Sequence, residues 1–332
     1  MANDKTALVL GASGGIGGEI ARQLRDGGWT VRALQRGGDA AMQQRDGMTW
    51  LRGDAMNRED VMRASEGCSV IVHAVNPPGY RRWAELVLPM VDNTIAAAIA
   101  RRATIVLPGT VYNFGPDAFP LLREESPQHP QTRKGAIRVQ MEKRLEAASW
   151  QGARVVIVRA GDFFGPKTGN SWLAQGMLKP GQPVCSIANP ADPGVGHQWA
   201  YLPDVARTVV ELLAKRDELG PFERFHFGGH WDADGRQLAE AIQRIIARRT
   251  GRTPRITGTP WWMLRLASPF VTTLRELMEM RYLWRQPVRM ANDRLVTVLG
   301  REPHTPLDEA MEATLLGLGC LPGTTERELA LG

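Results

Sequence analysis

Cysteine is scarce in this chain: Cys68, Cys185 and Cys320 are three in 332 residues, far apart and with no Cys-x-x-Cys pair. That excludes a disulfide framework and a cysteine-built zinc site, and fits a reducing compartment. Lysine is scarce too, with six among 41 basic residues; the arginines are scattered and form no basic run. The net charge of +6 is therefore read as an arginine-rich solvated surface, with no nucleic-acid partner expected. Only four tyrosines occur, Tyr80, Tyr112, Tyr201 and Tyr282, and four residues beyond them stand Ala84, Pro116, Val205 and Gln286. No tyrosine thus has a lysine one helical turn ahead of it, which excludes that way of setting a phenol beside an ammonium. A long apolar run is also missing: LVLPMVDNTIAAAIA (86–100) is broken by Pro89, Asp92 and Asn93, so no membrane span and no membrane partner are expected. The charged opening MANDKTALVL runs straight into a strand pattern, which is not that of a signal peptide; a cytoplasmic location is expected.

What is present is ordinary globular composition, 43% hydrophobic and 23% charged, with 35 glycines and 22 prolines spread along the chain. Short β-branched runs alternate with helical patterns. TALVLGA (6–12), WTVRALQR (29–36), MTWLRGD (48–54), CSVIVHAV (68–75), ATIVLPGT (103–110) and ARVVIVRAG (153–161) read as strands. Helical stretches lie between most of them, notably 57–66, 83–101 and 135–149. Parallel neighbours need long crossovers, so this alternation predicts an α/β fold with a doubly wound parallel sheet. After Pro166 the pattern loosens, then YLPDVARTVVELLAK (201–215) reads as another amphipathic helix and FERFHFGG (222–229) as a strand. We expect a nucleotide-binding domain over 1–165, with 197–215 returning to it. A smaller, mainly helical substrate lobe is expected over 166–332, above the sheet's carboxyl edge.

GASGGIG (11–17) is the strongest local signal, because it follows a strand and opens a helix. Its glycines allow a tight turn and close approach of backbone to a pyrophosphate, with helix amides aimed at the anion. The acidic residue that usually accepts from the ribose hydroxyls of NAD is replaced at the end of the second strand by Gln35 and Arg36, with Arg32 four residues earlier. Arginine there suits a 2′-phosphate through charge-assisted hydrogen bonds, so NADP is favoured over NAD.

GASGGIG, the GD of LRGDAMN, VIVHAVNPP (71–78) and RAGDFFGP (159–166) occur in the order and spacing of the extended short-chain dehydrogenase/reductases. The chain resembles their NAD-dependent epimerase/dehydratase group, which includes nucleotide-sugar epimerases. The likeness is best over the first 215 residues, where QWAYLPDVA (198–206) matches a family segment, and continues loosely through 295–311. It implies a Rossmann domain in which Gly11, Ser13, Gly14, Gly15, Ile16 and Gly17 line the pyrophosphate. Asp54, with Ala55, would reach the adenine, and Ala74, Val75 and Asn76 would pass beside the ribose. It also makes helices 83–101 and 135–149 candidates for a homodimer interface.

The same resemblance shows what has changed. Laying ATIVLPGTVYNFG on the family's serine-rich fifth-strand end puts Thr110 on the catalytic hydroxyl, Phe114 on a non-catalytic tyrosine and Gly115 on a glycine, while Tyr112 is an addition. In KGAIRVQME (134–142), Gly135 and Glu142 match, but Lys134 stands for the catalytic tyrosine and Arg138 for the lysine. Lys134 would also touch the cofactor. A guanidinium stays charged and cannot serve as a base. Three readings are open: Lys134 as acid/base beside Thr110, Tyr112 in that role, or a site that binds the nucleotide without turnover. Where nucleotide-sugar enzymes often present an arginine to the diphosphate, this chain has His197. Trp172, Trp199, Trp231, Trp261, Trp262 and Trp284 would suit a hydrophobic or aromatic small-molecule substrate if they form a cage, although core packing explains tryptophans more often. His226, His230 and Asp232 sit in a glycine-rich, strand-like stretch, and no metal is expected there. His73, on a buried strand, is read as a satisfied core histidine.

Overall fold

The run TALVL forms β1 (Thr6–Leu10), whose near-continuous burial is what a strand covered on both faces requires. Along the chain follow α1 (Gly15–Asp26), β2 (Thr30–Gln35), β3 (Met42–Arg45), β4 (Met48–Arg52), α2 (Arg58–Ala64), β5 (Val70–His73), α3 (Trp83–Arg101) and β6 (Thr104–Gly109). Next come β7 (Leu121–Leu122), α4 (Arg133–Ser149), β8 (Arg154–Arg159), β9 (Asp162–Phe164), β10 (Ser186–Asn189), β11 (His197–Tyr201) and α5 (Leu202–Ala214). The remainder carries β12 (Phe222–His226), β13 (His230–Asp232), α6 (Gln237–Thr250), β14 (Arg255–Gly258), α7 (Trp261–Ala267), α8 (Thr272–Glu279), β15 (Arg289–Met290), α9 (Asp293–Leu299) and α10 (Leu307–Gly317). The computed structural model describes residues 5–37, 40–77, 82–169 and 171–322; Tyr80 and Pro78 lie outside them.

Among the described residues the main sheet has eight strands, ordered β12-β8-β6-β5-β1-β2-β4-β3. Every pairing in it is parallel except β3 against β4. Alternate residues of each strand feed opposite cores: Ala7 and Val9 pack with α1 and α5, whereas Leu8 and Leu10 pack with α2, α3 and α4. Two faces both covered by helices make this a doubly wound Rossmann sheet, as the sequence pattern predicts. The order of strand addition reverses at β1, with β2 on one side and β5 on the other, and that switch point opens a crevice at the carboxyl ends of the strands.

The short edge strand MQQR (β3) was not anticipated; it lacks β-branched residues and all four side chains are exposed. FERFHFGG does form a strand, but β12 lies in the main sheet beside β8, so residues 222–226 belong with the sheet rather than with the lobe expected over 166–332. Much of the rest of that half builds a separate core, in which Trp199, Trp261 and Trp284 pack with α6 and α10. By length and composition α3 is apolar enough to cross a bilayer. Here it lies against the sheet, burying Val87, Met90, Val91, Thr94, Ala97 and Ala98.

Candidate cofactor and active site

The glycines of GASGGIG are dictated by backbone approach. Gly11 leaves β1 with φ +91°, and a Cβ there would stand 2.5 Å from the Ala74 carbonyl oxygen. A Cβ on Gly15 would stand 2.6 Å from the Thr168 carbonyl, and one on Gly17 would collide with that of Gly11. Gly14 caps α1 without a side chain, and its amide donates to the Gly11 carbonyl at 2.9 Å. The first turn of α1 therefore meets the crevice with amides that no side chain caps, in a cradle that only glycine leaves open. That fits a dinucleotide pyrophosphate.

One side of the cradle opens into a cavity of about 650 Å³ at the ends of β1, β2 and β4. Gly11, Ser13, Gly14, Asp54 and Ala55 line it, as do Ala74, Val75 and Asn76. Asp54 is fixed by an Asx turn, Oδ1 accepting from the Met56 amide at 3.0 Å, while the Asp54 amide donates to Asp60 at 2.9 Å. The Ala55 carbonyl accepts from Asn93 on α3 at 2.9 Å, tying this wall to that helix. Arg36 is exposed on the rim. Arg32 is not part of the site: its guanidinium turns away to the carbonyls of Ala64 (3.2 Å) and Glu66 (2.5 Å). A second rim arginine, Arg82, was missed because it precedes α3 with no strand to announce it; it adopts φ +53° and pairs with Glu85 at 2.7 Å.

At Ala74–Asn76 this cavity meets a second, of about 190 Å³, lined by Ile16, Thr110, Tyr112 and Arg138 among others. The Tyr112 amide donates to Thr110 Oγ1 at 3.2 Å, a tight turn that presents both side chains at the end of β6. Of the three described tyrosines, Tyr112 is the one that lines this cavity; Tyr201 is buried at the start of α5, and Tyr282 stacks on Phe119. Thr132 caps α4, its Oγ1 accepting from Gly135 at 3.0 Å, and Gly135 has no Cβ because one would collide with the Tyr112 carbonyl. Helix start and strand end are thereby locked together.

Along α4, Lys134, Arg138 and Glu142 form one buried stripe at four-residue spacing. Arg138 donates to Asn76 Oδ1 at 3.3 Å and lies over the Trp83 ring at 5.2 Å. Lys134 is buried differently, its Nζ 3.4 Å from a carboxylate oxygen of Glu279 at the end of α8. Glu142 receives two hydrogen bonds from Arg159 at the end of β8, at 3.1 and 2.6 Å. Arg159 has no exposed surface and also approaches His226 Nε2 (3.0 Å) and the Phe114 ring (5.0 Å). This network holds α4 against β8 and β12.

His73 is not the fully satisfied core residue expected. Thr94 Oγ1 gives its hydrogen to the Met90 carbonyl (3.1 Å), so His73 Nδ1 donates to Thr94 (2.8 Å) and Nε2 is the bare acceptor. Nε2 is buried without a partner among the described residues, on a side chain that lines the smaller cavity. Burial, and then the Arg138 charge, push its pKa down to about 3, so it stays neutral. Asp162, one residue pair beyond β8, also lines this cavity and accepts from His197 Nε2 at 2.8 Å. It sits within RAGDFFGP but received no role from the sequence; its place just past a strand's carboxyl end was the available signal.

The tryptophans divide. Trp172 and, from outside the expected set, Trp83 line the cavity, while Trp199, Trp261 and Trp284 are core, Trp231 is half-buried and Trp262 is exposed. His226, His230 and Asp232 have separate duties: His230 packs near His304 (4.5 Å between rings), and Asp232 accepts from the Gln237 and Leu238 amides at 3.1 Å each.

Among solved structures, the fold is similar to the enzyme WbmH of Bordetella bronchiseptica in complex with NAD+, at 18% identity over 94% of this chain and 97% of that one, TM-score 0.68. It is similar to UDP-glucose 4-epimerase of Thermotoga maritima with UDP-glucose, at 17% identity over 94% and 98%, TM-score 0.71. The NAD complex of the same enzyme from Brucella ovis matches at 14% identity over 95% and 98%, TM-score 0.70. No curated protein matches the sequence. The model of the family described as "NAD dependent epimerase/dehydratase family" matches residues 7–228, the span that carries the glycine cradle, the Thr110 turn and α4. This chain belongs to the NAD-dependent epimerase/dehydratase family.

Proposed function

We propose that the protein is an NADP(H)-preferring oxidoreductase or epimerase acting on a hydroxyl or carbonyl group of a small substrate. The observation that carries this reading is the meeting of two cavities at Ala74–Asn76, one lined by the glycine cradle and the other by Thr110 and Tyr112. The solved relatives named above hold NAD or UDP-glucose in this fold. Arg36, with Arg82 across the rim, would hold the 2′-phosphate, and Gly11 to Gly17 the pyrophosphate. Bound there, the cofactor would supply or accept hydride.

Thr110 would donate to the reacting oxygen, and Tyr112 would exchange its proton with that oxygen. Tyr112 is favoured over Lys134 because it lines the cavity with Thr110, while Lys134 is held by Glu279 with a side chain only 3% exposed. Arg138, unable to take a proton, would bind an oxygen of ribose or substrate. Tyr112→Phe should lower kcat by about 100-fold, a usual size for loss of a general acid/base, and leave NADPH affinity unchanged. A second reading, binding without turnover, is favoured by the same burial of Lys134 and the charge of Arg138. Full NADPH affinity with no hydride exchange on any carbonyl or alcohol tested would support it.

A further inference from the structure

The smaller cavity is built for an uncharged, ring-sized ligand, and we infer that this protein takes an aromatic or alicyclic carbonyl compound or the matching alcohol rather than a nucleoside diphosphate sugar. The inference rests on the reading that the cavity beyond Ala74–Asn76 is the substrate site. Its volume is about 190 Å³, close to the ~150 Å³ at which an apolar protein cavity accepts benzene. Trp83, Tyr112, Phe163, Trp172 and Leu277 supply rings and an aliphatic side chain to its wall. Trp172 cannot easily turn aside, because its ring meets Trp284 at 5.1 Å and Trp261 at 5.9 Å, both buried.

Charge decides against the nucleotide sugar. The Asp162–His197 pair, Nε2 to Oδ2 2.8 Å, places a carboxylate on the cavity wall. Whatever the histidine's protonation, the pair is neutral or carries one negative charge, so a diphosphate would meet no net attraction there. His197 cannot be recruited as a free donor. It is 6% exposed, stacked on Trp284 at 3.7 Å, edge-on to Trp199 at 5.0 Å, and its Nδ1 lies 3.3 Å from the Leu283 carbonyl. The guanidinium lining this cavity, Arg138, bonds Asn76 on the wall shared with the cofactor. Asp162 in turn can accept from a hydroxyl on a neutral ring, which gives such a ligand a polar anchor.

The test is calorimetric titration of the purified full chain with acetophenone, cyclohexanone and UDP-glucose, each with and without saturating NADPH. NADPH binding is followed separately by nicotinamide fluorescence, so its failure strikes the cofactor reading, while the ligand titrations still decide the cavity. We expect at least one ring ketone to bind saturably at or below millimolar concentration and UDP-glucose to show none. The double variant Asp162→Asn, His197→Arg should then bind UDP-glucose at least 10-fold better than the parent, provided its Tm shows a folded protein. Saturable submillimolar binding of UDP-glucose by the parent chain, or failure of both ketones to bind, would overturn the inference.

Discussion

Arg36 and Arg82 stand on the same rim of the larger cavity. Loss of one charge-assisted phosphate contact from an exposed arginine costs about 1.5–3 kcal/mol, or roughly 10- to 100-fold in affinity. Arg36→Ala should therefore weaken NADPH binding by that factor and change NADH binding less than threefold, as read by nicotinamide fluorescence. Arg36 was legible in the sequence because a strand end precedes it. Arg82 was not, because its place depends on α3 folding back over β5. The same distinction separates Thr110 from His73. A hydroxyl at a strand end advertises a site, whereas a histidine inside a strand looks like core until Thr94 is seen to occupy only one of its nitrogens.

At the level of elements, α4 carries the most chemistry and was half readable. The pattern placed a helix over 135–149, close to the observed Arg133–Ser149, but the Thr132 cap was seen only in the structure, where Lys134, Arg138 and Glu142 fall on one stripe. What no local pattern could show was the partner of each: Asn76 from the β5 end, Glu279 from α8, and Arg159 from β8. Breaking a buried pair by removing one charge typically costs 3–5 kcal/mol, since the other is left uncompensated. Glu142→Gln should therefore lower stability by about 3 kcal/mol in denaturant unfolding, more than any single surface ion pair such as Arg236–Glu240. The sheet was more legible than the helices' contacts, because period and burial alone mark a parallel strand. β12 was found as a strand but placed in the wrong layer, since its partner β8 lies over 60 residues earlier.

For the whole molecule, three buried or half-buried histidines set an acid limit. Burial, and then the Arg159 charge, push His226 down to about 3, and burial brings His230 to about 4, alongside His73 at about 3. The unfolded chain binds protons at these sites from about pH 6.5 downward, while the folded chain does not. Stability is therefore full above pH 6.5 and falls as pH drops toward 3. At pH 5.5 each fully buried histidine, His73 and His226, should cost about 1.4 kcal/mol. Tm should fall between pH 7.5 and 5.5, and His226→Gln should flatten that slope relative to its own value at pH 7.5.

The proposed binding of a dinucleotide by the glycine cradle in the switch-point crevice underlies every functional step above. Titration of the purified chain with NADPH and NADH, followed by nicotinamide fluorescence, tests it most directly. Saturable binding of both is expected, with NADPH at least 10-fold tighter. Failure of both nucleotides to bind at millimolar concentration would contradict it, leaving the cradle a turn of purely structural origin.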